Sequence, residues 1–139
     1  MKRTLLLLFL ACTVGCATTS REIGKAGGES SVTHVVLCWL KQPGNSADRH
    51  KLIMESVRLE QIPGVANVLA GVPVPSTRPV VDSSYDVAFV ITFRNESSLQ
   101  SYQDHPIHKK AVSEVLRPLT AKILIYDIKR TDVDEARKR

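Results

Sequence analysis

The chain lacks the signatures of several large function classes. In 139 residues there is no Gly-x-Ser-x-Gly nucleophile elbow, and there is neither a phosphate-loop nor a dinucleotide glycine motif, which argues against elbow-type hydrolysis and nucleotide chemistry. There is no Cys-x-x-Cys, and the one close histidine pair, His105 and His108, is interrupted by Pro106, an unusual scaffold for a metal. Neither a metal nor a cofactor is expected. Aromatics make up only 5% of the residues and do not interleave with a concentrated basic patch, so nucleic acid is not an expected partner. No internal repeat is visible, and the length suits one domain with one modest core.

What is present begins with an export signal. Met1-Lys2-Arg3 is cationic, and Thr4 to Ala11 is an apolar run too short to span a bilayer as a mature helix. Thr13-Val14-Gly15-Cys16-Ala17 resembles the lipobox of bacterial lipoproteins at Gly15 and Cys16, with Thr13 where leucine is usual. That resemblance implies residues 1–16 as signal with lipidation at Cys16, and a lipid anchor on the periplasmic face of the outer membrane in a bacterial envelope. Cleavage by the ordinary signal peptidase, giving a soluble periplasmic product, is the alternative. Residues 17–31, rich in Thr, Ser and Gly, read as a flexible tether. Loss of Lys2 and Arg3 lowers the formal charge of +5 by two, a balance that says little about partners. Residues 130–139 mix Arg130, Arg137, Lys138 and Arg139 with Asp132, Asp134 and Glu135 and read as a solvated charged tail. With Cys12 removed and Cys16 lipidated, Cys38 is the one remaining thiol, placed mid-strand as a small core residue.

Between tether and tail the patterning alternates between strand and helix. Thr33 to Lys41 is β-branched and aromatic, and its alternation puts His34, Val36, Cys38 and Leu40 on one face and Val35, Leu37 and Trp39 on the other. Ser46 is the expected N-cap of a helix to about Gln61, on which Leu52, Glu55, Leu59 and Ile62 share a stripe. Ala66 to Val72 is a second strand. Pro73 to Ser84, with its prolines, is a long loop of the kind that carries binding surfaces. Tyr85 to Phe93 is an interior strand, Asn95 caps a helix through Tyr102, Ile107 to Leu116 is helical up to Pro118, and Ala121 to Ile128 is the last strand. The order β-α-β-β-α-β is the ferredoxin-like α+β pattern. Helices on one side leave the face of Val35, Leu37 and Trp39 uncovered, which calls for a second copy of the chain.

The segment Tyr102-Gln103-Asp104-His105-Pro106-Ile107-His108, with its lead-in Phe93-Arg94-Asn95-Glu96-Ser97-Ser98-Leu99, resembles the signature of the stress-responsive A/B barrel (Dabb) domains, and the resemblance covers residues 32–129. It implies a homodimeric α/β barrel. In enzymes of that family the second histidine of His-Pro-x-His acts as a base, a tyrosine polarises the reacting carbonyl, and a histidine of the first strand lines the cavity. The matching positions are His108, Tyr102 and His34. Glu55 replaces a cavity tyrosine; with His105 and Cys38 it completes the set of candidate pocket residues. The implied function is binding of a small hydrophobic carbonyl or phenolic compound, with its transformation by His/Tyr acid-base chemistry as an extension. The alternative is a non-enzymatic stress-response or assembly module in which His-Pro-x-His is architectural, His105 capping a helix and Glu55 pairing with Lys51 or Arg58.

Overall fold

The computed structural model describes residues 31–131. Strand β1 (Val32–Leu40) leads into α1 (Ser46–Arg58), which tightens into a 3-10 turn, Leu59–Gln61. Strands β2 (Val65–Gly71) and β3 (Val87–Phe93) flank the proline-bearing loop. Helices α2 (Glu96–Asp104) and α3 (Pro106–Ala111) meet at His105, and a π-helical turn, Val112–Leu116, and the short α4 (Arg117–Leu119) lead into β4 (Thr120–Lys129). The expected order of elements is present, with ends shifted by one to three residues.

Local chemistry sets the ends. Asn45 rather than Ser46 caps α1, its side chain accepting from the amides of Ala47 and Asp48, both at 3.0 Å. Asn95 caps α2 by accepting from the Ser98 amide at 2.8 Å. Proline disfavours helical geometry in the residue before it, and His105 is accordingly extended, with φ −67 and ψ 136. Pro118 falls inside the last helical turn; it has no N–H for the helical ladder, and the preceding turn is π-helical, the Arg117 amide donating to the Val112 carbonyl.

All strand pairs are antiparallel, in the order β2-β3-β1-β4. The face carrying Val36, Cys38, Leu40, Val87 and Phe89 packs against Leu52, Val115 and Leu116. A second cluster unites Val32, Ile91, Phe93, Leu59, Ile62, Tyr102 and Ala111. Each fully buried aliphatic or aromatic side chain contributes roughly 1.5–3 kcal/mol. On α1 the core stripe runs through Leu52, Ser56 and Leu59, so Ser56 takes the buried position and Glu55 lies beside it. The opposite sheet face holds Thr33, Val35, Leu37 and Trp39, half-buried, and it also exposes Leu69 (63%), Tyr126 (52%) and Ile128 (55%).

Two expectations are corrected. The chain does not form an α/β barrel: its sheet is open, with β2 and β4 as edges that do not pair with each other. Four strands are too few to curl closed, since a side-chain-filled barrel takes about eight. Nor do the described residues support a membrane lipoprotein. No helix among the described residues is long and apolar enough to cross a membrane. The signal, Cys12, Cys16 and the tether through residue 30 lie outside the described residues, as does the tail from residue 132.

Candidate functional site

Histidine and tyrosine side chains converge where β1, β4 and the α2–α3 corner meet. Register sets the first contact: His34 on β1 lies opposite Asp127 on β4, and its Nδ1 is 2.6 Å from the Asp127 carboxylate. The His34 side chain is 7% exposed and that of Asp127 44%. The corner sets the second. As α2 stops at His105, the His108 ring swings back under it, and Nδ1 sits 3.0 Å from the Gln103 carbonyl.

Tyr102 lies between the two imidazoles. Its ring centroid is 4.5 Å from that of His108, 6.1 Å from that of His34 and 4.9 Å from that of Phe93. Burial pushes the Tyr102 phenol well above its ordinary range, so the hydroxyl stays protonated and can donate. Burial likewise holds the His108 imidazolium below the usual histidine value; the charges of His34 and Lys109 act in the same direction, and the Gln103 carbonyl opposes them. His108 is therefore neutral at neutral pH.

The hydrogen bonds fix which nitrogen is free. A carbonyl oxygen only accepts, so His108 Nδ1 carries the hydrogen and Nε2 the lone pair. The Asp127 carboxylate selects the same tautomer in His34. Among the described residues neither Nε2 nor the Tyr102 hydroxyl has a hydrogen-bond partner, and no fully buried side-chain nitrogen or oxygen is left unsatisfied. The arrangement thus offers the His108 Nε2 acceptor and the Tyr102 donor, with the second nitrogen of His34 beside them, to a small polar group.

His105 stands apart from this cluster: its Nδ1 accepts from the Ile107 amide at 3.3 Å and caps α3. Cys38 is fully buried in the other core cluster, its thiol pushed up to about 12 by burial. The Glu55 side chain, 15% exposed, pairs with Arg58 at 3.3 Å. Among the described residues no group of three or more His, Cys, Asp or Glu is placed to hold a metal ion. Asp127 escaped the sequence reading. Its signal was an acid in the otherwise apolar run Ile123 to Ile128, and only strand register shows which residue it meets.

Two shallow grooves flank the cluster, and Gln103 lines both. One, about 350 Å³, runs along Val32, Leu99, Gln103 and Asp127 and is edged by Glu96 and Lys129, which pair at 2.7 Å. The other, about 240 Å³, is lined by Gln103, His108, Lys109, Val112, Ser113 and Arg117. Tyr102 lines neither.

Comparison with known proteins places this geometry in context. Residues 32–130 match the Stress responsive A/B Barrel Domain family. A Dabb family protein with a ferredoxin-like fold from Mesorhizobium loti superposes with a TM-score of 0.62 at 23% identity, covering 75% of this chain and all of that one. A dimeric ferredoxin-like protein of unknown function from Thermobifida fusca gives 0.61 at 21% identity, over 73% of this chain and 92% of its own. The hydroxynitrile lyase of Passiflora edulis gives 0.61 at 17% identity, over 76% and 97%. Likenesses of this degree establish the fold alone. No curated protein matches significantly.

Proposed function

The chain belongs to the stress-responsive A/B barrel domain family, and on that premise we propose that it is a homodimer that binds a small hydrophobic carbonyl or phenolic compound beside His34, Tyr102 and His108. The observation carrying this reading is the pair of imidazoles tied back through Nδ1, each with a free Nε2, on either side of a buried tyrosine whose hydroxyl has no partner among the described residues. A carbonyl oxygen would accept from Tyr102, and His108 Nε2 would take a proton from an acidic C–H or O–H of the same ligand. A hydroxynitrile lyase of the same fold supports the view that this scaffold can carry an enzyme. The homodimer is supported by the apolar sheet face left open in one chain and by the dimeric Thermobifida fusca protein.

Titration with benzaldehyde and with phenol, followed through the histidine ring signals by NMR, tests the ligand reading. Saturable shifts at His108 and His34, abolished in Tyr102→Phe, are expected. Unmoved signals with both probes would sink it.

A second reading is favoured by the same corner. His105 caps α3 and His108 ties down the Gln103 carbonyl, so the motif also braces the α2–α3 turn. In a purely architectural role His108→Ala would destabilise the fold, and the protein would take up neither probe.

A further inference from the structure

We propose that the groove beside His108 takes a small apolar molecule bearing a carboxylate, with Arg117 as the group that holds the anion. This deepens the ligand reading above and rests on it. Apart from Gln103 of α2, the groove is built from one run of helix: His108 and Lys109 from α3, Val112 and Ser113 from the π-helical turn, and Arg117 from α4. Such π-helical widenings occur frequently at functional sites. Val112 and the aliphatic stem of Lys109 supply apolar wall, and His108 lines the same groove.

The charges along this helical run do not cancel. Lys109 is 3.3 Å from the Asp104 carboxylate, and Lys110 is 3.9 Å from that of Glu114. Arg117 has no ion pair or side-chain hydrogen bond among the described residues. Its backbone is held, since Lys41 Nζ donates to the carbonyls of Arg117 at 3.1 Å and Pro118 at 2.8 Å and brings a further positive charge to the same end. The Ser113 hydroxyl donates to the Lys110 carbonyl and so does not compete for the anion as a donor. What remains is one uncompensated guanidinium, a planar fork suited to bidentate recognition of a carboxylate, in a groove that His108 and Val112 also line.

Benzaldehyde and 4-formylbenzoate differ only by the carboxylate and separate this inference from the reading beneath it. Calorimetric titration of the intact protein should show 4-formylbenzoate binding about tenfold or more tightly than benzaldehyde, a preference that shrinks with added salt. Arg117→Gln should remove that preference while leaving benzaldehyde affinity within about twofold, and Arg117→Lys should restore part of it. Arg117 is exposed, and an unchanged melting temperature would show that each variant is folded. Equal affinity for the two probes in the parent protein, or a preference that survives Arg117→Gln, would overturn the anion site and leave the carbonyl-binding reading standing. Binding of neither probe would overturn both.

Discussion

His34 and Asp127 stand 93 residues apart in the chain, yet they face each other across β1 and β4 with a 2.6 Å contact between Nδ1 and the carboxylate. A nearly buried imidazole thereby has one nitrogen committed and the other left for a ligand. The pairing links strand register to chemistry, since sliding β4 by one residue would turn Asp127 to the opposite face of the sheet.

Removing that carboxylate should therefore change which nitrogen of His34 is protonated. Asp127→Asn is expected to cost about 1–2 kcal/mol, toward the lower end because the carboxylate is half exposed, and to leave His34 in a mixture of tautomers. Denaturant unfolding and nitrogen-15 spectra of the ring would report the two effects. A single unchanged tautomer in the variant would show that Asp127 does not control it.

His108 should make the fold sensitive to acid. Its folded pKa lies below the ordinary value of 6.5, so the unfolded chain takes up the proton first as pH falls. Stability is then unaffected by this group above about pH 6.5 and declines as pH drops from there toward the lowered folded value. Replacing it with a group that does not titrate, His108→Gln, should flatten that part of the curve of Tm against pH. Parallel curves for parent and variant would contradict the depressed pKa.

Tyr102→Phe and His108→Ala should separate packing from polar chemistry. The Tyr102 hydroxyl bonds to nothing among the described residues, so its removal should leave stability within about 0.5 kcal/mol while abolishing carbonyl binding. His108→Ala removes both a ring packed on Tyr102 and the bond to Gln103, and should cost about 1–3 kcal/mol. Thermal melts beside ligand titrations decide the matter: a large loss of stability in Tyr102→Phe would mean that the hydroxyl has a structural partner.

The open sheet face should hold two copies together. Val35, Leu37, Leu69, Val90, Tyr126 and Ile128 share it, an apolar surface of the kind that marks an interface. Light scattering at micromolar concentration should return twice the chain mass, and Leu37→Asp should yield a monomer or an unfolded chain. A parent protein that is monomeric and cooperatively folded would rule the interface out.

Gly64 and Gly44 both adopt positive φ, at 93 and 77, but differ in surroundings. A Cβ on Gly64 would lie 2.9 Å from Ser98 Cβ, whereas one on Gly44 would meet nothing within 4 Å. Alanine at Gly44 should cost about 1–2 kcal/mol from backbone strain, and alanine at Gly64 about 1 kcal/mol or more beyond that, because α2 must retreat. Comparable melting temperatures for the two variants would show that the corner absorbs the extra atom.

Much of this protein was legible one residue at a time. The alternation from Val32 to Leu40, the Asn95 cap and the helix break before Pro106 are consequences of neighbouring residues, so element order and the ferredoxin-like pattern could be read from sequence, whereas the grouping of His108 with Tyr102 was an inference from family resemblance. The α1 stripe was less secure, because Glu55 and Ser56 lie on either side of Leu52 on the helical wheel, and only packing against Leu52 and Leu59 decides that Ser56 is the one buried. Closure into a barrel was an inference from family resemblance; the backbone of one chain has only four strands and stays open. The Asp127 contact with His34 and the uncompensated Arg117 were out of reach for a different reason. Each depends on which groups across the fold do or do not meet a given side chain, and antiparallel register and helix packing settle that only after the whole chain has folded.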